Sequence, residues 1–387
     1  MDFNLSQDQL ELQQGVADFA QKEVAPRAEQ LDRDGVFPTD LFQKLGQLGI
    51  LGIPFPEEYG GLGLGTFEAV LALEQVARAD QSLAGSAMVS MATGLTLMRF
   101  GSRELIDLYL PDIVSGQHIA AIAGTEPDAG SDTAGFKTRA KQEDGPEGHW
   151  LLNGQKAFIT NPGTNITSFA LVLVVTREEA GKKSFSLFLV PNGTPGYDQG
   201  ELYAKLGWRS MDTRPLYFDD CKLGPEMIVG DVHGGRHVLH KGYQQARVFL
   251  ATCSLGLGQA SLDHALSYAK ERHAFGVPIG AKQLVQKMIT EIAVKVDCAR
   301  LLTYRAAWKA DQGQADLKEL SMAKLYATEI GTECANLAIQ VHGGYGFMDE
   351  CPPSRYLRDN RVCTIGDGSS EIQTLLIARE LGLPVAF

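Results

Sequence analysis

Trp150-Leu151-Leu152-Asn153-Gly154-Gln155-Lys156-Ala157-Phe158-Ile159-Thr160 reads as a strand, with β-branched, aromatic and aliphatic residues in a short run that the cluster after Asn161 closes. Phe169-Ala170-Leu171-Val172-Leu173-Val174-Val175-Thr176 and Ser184-Phe185-Ser186-Leu187-Phe188-Leu189-Val190 repeat the style between glycine, proline and asparagine clusters, and Tyr203 to Phe218 continues it. Residues 119–230 are therefore expected to form a middle β domain. On both sides the period is helical. Upstream, Leu5 to Leu31 is polar with a recurring apolar face, and Thr66 to Phe100 is rich in alanine, leucine and methionine with no internal proline. Between them, Pro54 to Gly63 predicts a structured loop, because its prolines and glycines hold no regular element. Downstream, Leu317, Leu320, Ala323, Ala327, Ile330, Cys334, Leu337 and Val341 step by three or four residues and predict a deeply packed helix. The fold class is thus mainly α with a central β domain, divided into a helical domain over 1–118, the β domain over 119–230 and a helical bundle over 231–387.

This order lacks the strand and helix alternation of a doubly wound sheet, which argues against a Rossmann fold. The glycine clusters at Gly60 to Gly65, Gly256 to Gly258 and Gly343 to Gly346 do not follow a strand and open a helix, so they do not read as dinucleotide fingerprints.

The chain has 387 residues, 44% hydrophobic and 21% charged, which is the range of an ordinary globular protein of two or three domains. Its net charge of -12 argues against a nucleic-acid partner. The longest apolar run, Phe169 to Val175, is far shorter than the roughly 20 residues that span a bilayer. The opening Met1-Asp2-Phe3-Asn4-Leu5-Ser6 shows neither a secretory nor a transit pattern, so a cytoplasmic location and no membrane association are expected. Six cysteines without CxxC spacing read as reduced core thiols, with no metal site.

Thr125-Glu126-Pro127-Asp128-Ala129-Gly130-Ser131-Asp132 combines hydroxyls with small residues that let backbone N–H groups approach a ligand; the same composition serves a plain turn, and the segment alone does not decide. Five further motifs keep it company: Pro56-Glu57-Glu58-Tyr59-Gly60-Gly61, Leu152 to Asn161, Glu271-Arg272-His273-Ala274-Phe275-Gly276, Gln340-Val341-His342-Gly343-Gly344-Tyr345-Gly346-Phe347 and Gly368-Ser369-Ser370-Glu371-Ile372-Gln373. In order and spacing, over essentially the whole chain, they resemble the acyl-CoA dehydrogenase flavoprotein family.

The resemblance implies a helical N-terminal domain, a β-barrel-like middle domain, a C-terminal four-helix bundle, non-covalent FAD and a homotetramer. Carried over by position, Ile122, Thr125, Phe158 and Thr160 are expected beside the flavin ring, with Ser369 and Glu371 as further flavin contacts. Arg272, Phe275 and Gln283, with Gln340, Gly343 and Gly344 of a neighbouring subunit, are expected at the pyrophosphate and adenosine. An arginine fork suits a pyrophosphate and glycines permit close backbone approach, although a helix-end cation, a core aromatic and a helix cap would account for Arg272, Phe158 and Gly343 singly. Ser131, Tyr243, Gln244 and Arg247 resemble contacts to the CoA part, and Ser131 is expected at the cofactor as well.

Family chemistry removes an α-proton from an acyl thioester with a carboxylate while the β-hydrogen leaves as hydride to the flavin. Most members place a glutamate directly before the Gly368 position. Here the segment reads Ile365-Gly366-Asp367-Gly368, so the implied base is Asp367, shorter by one methylene, or about 1.5 Å of reach. Gly366, where a tyrosine is common, frees space for a bulky or cyclic acyl group; the acyl group is also expected to meet Gly368. The alternative family position for a base is Ala246, which cannot act as one, and Arg247 is expected to keep Asp367 ionised or, otherwise, to form an interdomain salt bridge. The helix from Leu83 to Phe100 carries Leu83 to Ser90 without an arginine, so an apolar short or medium acyl group is expected over a distal carboxylate. The expected reaction is α,β-desaturation of such an acyl-CoA, cyclohexanecarboxyl-CoA for example, with an electron-transferring flavoprotein as acceptor. The alternatives are a same-scaffold oxidase of the nitroalkane oxidase kind, for which Thr374 stands where an arginine is expected, a flavin-dependent lyase or monooxygenase, and a redox-inactive acyl-thioester binding protein.

Overall fold

A computed structural model of the chain describes residues 4–143 and 148–385; Met1 to Phe3 of the opening segment lie outside the described residues. The N-terminal part is helical: α1 (Gln7–Phe19), α2 (Ala28–Asp34), α3 (Thr39–Gln47), α4 (Thr66–Ala79), α5 (Gln81–Phe100) and α6 (Arg103–Val114). Thr66 to Phe100 is two helices, the second of them starting two residues before the expected Leu83. Asp80 turns extended (φ -150°, ψ 114°), and its buried carboxylate accepts from the Leu83 N–H at 2.7 Å, capping α5. Leu5 to Leu31 is likewise divided, by a π turn over Ala20–Val24 and a 3-10 turn containing Pro26, whose missing N–H breaks the helical ladder.

The middle strands are β1 (Ile119–Ala123), β2 (Arg139–Gln142), β3 (Trp150–Thr160), β4 (Thr167–Glu179), β5 (Lys182–Pro191), β6 (Tyr197–Gln199) and β7 (Thr213–Leu223). They run in the order β1-β4-β2-β3-β7-β6, with β5 also paired to β4. No pairing among the described residues closes this branched sheet. The continuous apolar run of β4 is explained by burial on both faces. Phe169, Leu171, Leu173 and Val175 pack with Leu105, Leu110 and Leu239 of the helical parts, while Ala170, Val172 and Val174 pack with Trp150, Leu216 and Phe218. Residues 203–212 form no strand, against expectation: Gly207 lies so close to the chain at Arg358 that a Cβ would sit 2.2 Å from its carbonyl, and Trp208 is buried at φ 50°.

The C-terminal part holds three long helices, α7 (Gly235–Glu271), α8 (Gln283–Asp311) and α9 (Leu317–His342), with α10 (Pro352–Asn360) and α11 (Ser370–Glu380) packed on α9. The helix preceding Arg272, α7, starts at Gly235 and spans 37 residues. The two-stranded hairpin β8 (His273–Ala274) and β9 (Val277–Pro278) joins α7 to α8. All six cysteines are free, but Cys298 is exposed and Cys351 half-buried, so only four are core thiols. Among the described residues no helix is long and apolar enough to cross a membrane.

Candidate active site

Where β1 ends, Gly124 to Glu126 crosses the β3 strand. The Ala157 N–H donates to the Thr125 carbonyl at 3.0 Å, so Thr125 lies beside Ala157 and Phe158. From β3 the fully buried Lys156 ammonium donates to the Gly124 carbonyl and to Glu126 Oε1, both at 2.9 Å, and stands 4.6 Å from the Phe136 ring centre. Glu126 also accepts from the backbone N–H groups of Lys137 (2.6 Å) and Thr138 (3.0 Å). Burial pushes the Glu126 carboxyl up, but Lys156 and these N–H groups outweigh it and hold it below its usual range; burial brings Lys156 down to about 8 against the pull of Glu126.

The β3–β7 register slips between Lys156 and Ile159, and in that bulge Phe158 takes φ 60° and turns its ring outward, 65% exposed, against Tyr203 at 5.4 Å. A bulky residue in that conformation is rare. The hydroxyls of Thr125 and Thr160 have no hydrogen-bond partner among the described residues. Ile122, near the end of β1, and Thr160, at the end of β3, are half-buried, and Ser131 is exposed in the loop after β1.

From α7, Tyr243 reaches this loop: a Cβ on Gly124 would stand 2.6 Å from its hydroxyl, so a larger residue there would push the ring away. One turn on is Arg247, 9% exposed, with its Nε buried and unpartnered. Gln244 is half-buried beside them, and Ala246 is packed in the core.

Asp367 lies between α10 and α11 with φ 53°, followed by Gly368 at φ 91°. The Asp367 backbone N–H has no acceptor among the described residues. Desolvation pushes its carboxyl up, while Lys324 and Arg247 pull it down; the net direction is upward. Tyr243 feels the Asp367 charge as well. The structure thus groups Asp367, Arg247 and Tyr243 electrostatically, although no ion pair links Asp367 or Arg247 to any described residue, so the interdomain salt bridge considered for Arg247 does not form. Gly366 and Gly368 flank Asp367, both half-buried.

Ser369 caps α11 through its hydroxyl, which accepts from the Ile372 N–H, and Glu371 sits in the first turn. Both line a cavity of about 200 Å³ with Glu329, Thr332, Arg361 and Thr364, on α9 and the segment before Asp367.

A larger cavity of about 500 Å³ brings together Arg272, Gly343 and Gly344 with Tyr268, His342 and Tyr345. Arg272 caps α7 and stands 5.8 Å over the Tyr345 ring, and Gly343 ends α9 at φ 61°. Phe275 and Gln283 lie apart from this cavity: Phe275, 93% exposed at φ 54°, tips the β8–β9 turn, and Gln283 begins α8. Gln340, exposed on the last turn of α9, does not line it either.

Sequence reasoning missed Lys324 and Gln373. Lys324 is wholly buried on α9 with Nζ donating to the Gly368 carbonyl at 2.9 Å; Gln373, also wholly buried, donates Nε2 to the carbonyls of Asp367 (3.2 Å) and Gly368 (2.9 Å). Glu126 and Lys156 were inside quoted motifs, but their pairing was not read.

Three family models match the chain: acyl-CoA dehydrogenase N-terminal domain over residues 6–117, middle domain over 121–221 and C-terminal domain over 233–382. A probable acyl-CoA dehydrogenase of Bacillus subtilis (strain 168) is 39% identical over 386 residues, covering 98% of this chain and 100% of that protein. Among solved structures, butyryl-CoA dehydrogenase from Megasphaera elsdenii superposes with a TM-score of 0.94 at 30% identity, covering 98% of this chain and 100% of that one. A glutaryl-coenzyme A dehydrogenase in its glutaryl-CoA complex superposes with a TM-score of 0.94 at 34% identity, over 99% and 98% of the two chains.

Proposed function

The chain belongs to the acyl-CoA dehydrogenase family of FAD-dependent oxidoreductases, and from that premise we propose that it desaturates an apolar, short or medium acyl-CoA thioester, with Asp367 as base. A cyclic or α-branched group such as cyclohexanecarboxyl is the substrate this reading favours. The observation that carries it is Asp367 itself: a half-buried carboxylate in a left-handed loop, pushed up by partial desolvation yet drawn back toward its ionised form by two cations.

The fit to FAD is supported by an outward aromatic in a strained bulge and by unpartnered hydroxyls at Thr125 and Thr160. In this reading Ile122, Thr125, Phe158, Thr160, Ser369 and Glu371 hold the flavin. Arg272, Phe275 and Gln283, with Gln340, Gly343 and Gly344 of a neighbouring subunit, hold the pyrophosphate and adenosine. Bound FAD supplies a hydride acceptor for the β-hydrogen. The residues of the chain do the rest. Asp367 takes the α-proton, and its free backbone N–H polarises the thioester carbonyl, making the α-hydrogen more acidic. Arg247, buried with a spare Nε, favours the carboxylate form. Tyr243, Gln244 and Ser131 bind the CoA part. Gly366 leaves room above the base, and α5 carries no charged side chain from Gln81 to Met98, so a distal anion would lie unpaired. An electron-transferring flavoprotein as acceptor and a homotetramer complete the reading; the exposed Phe275, Leu284 and Phe347 are apolar surface that a second subunit would cover.

The test is anaerobic titration of the purified flavoprotein with butyryl-, octanoyl-, isobutyryl-, cyclohexanecarboxyl- and glutaryl-CoA, read as bleaching of the visible flavin band. Fastest bleaching by the cyclohexanecarboxyl or isobutyryl thioester is expected. Fastest bleaching by a straight-chain thioester overturns the acyl assignment, by glutaryl-CoA the argument from α5, and no bleaching the dehydrogenase reading.

A further inference from the structure

Lys324 stands out among the buried groups that the mechanism above does not use. It is wholly buried on α9, yet among the described residues its ammonium has one acceptor, the Gly368 carbonyl at 2.9 Å, and no ion-pair partner. An ammonium has three N–H donors, so two are left without protein partners in a desolvated place. For packing alone this is a liability, because an apolar side chain of the same length would fill the space without the cost of a buried charge. Its acceptor is the residue after Asp367, and the same carbonyl also accepts from Gln373. Asp367 and Gly368 both have positive φ, so the loop needs outside restraint, and these two side chains hold it by its carbonyls.

We propose that Lys324 is a positioning residue for the base: it clamps the loop through the Gly368 carbonyl and so holds a positive charge next to the residue that carries the base. The inference rests on Asp367 being the base. Other ionisable groups face the pair: Arg247, Tyr243 and Cys253 on α7, Glu329 on α9, Cys363 just after α10, and Glu371 on α11. For Asp367 itself only Lys324 and Arg247 oppose the upward push of desolvation. The coupling is mutual. Burial lowers Lys324 to about 8, and the Asp367 charge is what resists a further fall, so the ammonium is charged at neutral pH.

Removing the ammonium therefore makes Asp367 hold its proton to higher pH. Lys324→Met and Lys324→Gln holoenzymes, mixed anaerobically with butyryl-CoA and with cyclohexanecarboxyl-CoA, are compared with the unsubstituted enzyme for flavin reduction across pH. Both variants are expected to keep FAD and a thermal midpoint no lower than the parent. On the acid limb of the profile the rate is expected to fall roughly tenfold, with recovery as the pH rises. A folded, FAD-loaded variant whose acid limb has not moved overturns the proposal. So does failure of both variants to fold or hold FAD, which would make Lys324 a structural support. Asp367→Asn separates the two assignments: if it still reduces flavin, the base assignment fails. If it is inactive and the Lys324→Met limb is unmoved, only the role of Lys324 fails.

Discussion

Replacing Glu126 with alanine leaves the Lys156 ammonium buried with the Gly124 carbonyl as its remaining acceptor. The side chains are 0% and 5% exposed, so solvent screening does not soften the loss. A stranded buried charge costs about 3–5 kcal/mol. Deprotonation caps the cost: taking a lysine from its ordinary 10.5 to pH 7 amounts to about 5 kcal/mol at about 1.4 kcal/mol per unit. Lys156→Met is milder, because Glu126 keeps the Lys137 and Thr138 N–H donors, and should cost about 2 kcal/mol. Once the lysine is gone, deleting the carboxylate strands no charge, so the double variant should cost about 3 kcal/mol less than the two single costs added together. The assay is urea denaturation of the FAD-loaded proteins followed by flavin fluorescence. Additivity within about 0.5 kcal/mol would refute a strong pair beneath the Thr125 loop.

Burial pushes the Asp359 carboxyl up to about 7, with Asp80 adding to the push, and its Oδ1 accepts from the Trp208 N–H at 2.7 Å. Between the ordinary carboxylate range and about pH 7 the folded state therefore keeps a proton that the unfolded chain has lost, and this site's contribution to stability falls as pH rises through that window. Asp359→Asn, which preserves the acceptor, should raise the thermal midpoint clearly at pH 8 and less at pH 5; an equal effect at both would contradict the burial argument. Arg272→Met should weaken FAD binding by at least tenfold while leaving the far-ultraviolet circular dichroism unchanged, and unaltered FAD affinity in equilibrium dialysis would remove Arg272 from the cofactor site. Gly346→Ala should destabilise the turn after α9, because its Cβ would meet the Ile339 carbonyl at 2.3 Å, and a thermal midpoint equal to the parent would show that the turn relaxes freely.

The succession of helices, strands and helices was legible because the apolar period changes near Ile119 and again near Gly235. Breaks inside a continuous apolar pattern were harder. Asp80 is a sequence-level cap signal, but it sits in an alanine-rich stretch whose helical period continues on both sides. Lys324 left a readable trace: four residues after Leu320 and three before Ala327, it falls on the buried face of α9, where a charge demands a reason. The Glu126–Lys156 pair left none, since thirty residues separate partners that only the β1 to β3 crossing brings together. Positive φ at Phe158, Phe275 and Asp367 was also invisible, because nothing in a phenylalanine or aspartate announces a left-handed backbone that its surroundings impose.

The most direct measurement is the anaerobic reaction of Asp367→Asn with the thioester that bleaches the unsubstituted enzyme fastest. The amide keeps the size of the side chain and cannot accept the α-proton, so FAD should remain bound and its absorbance should not change on mixing. Flavin reduction above about one per cent of the parent rate would contradict the assignment of Asp367 as the base.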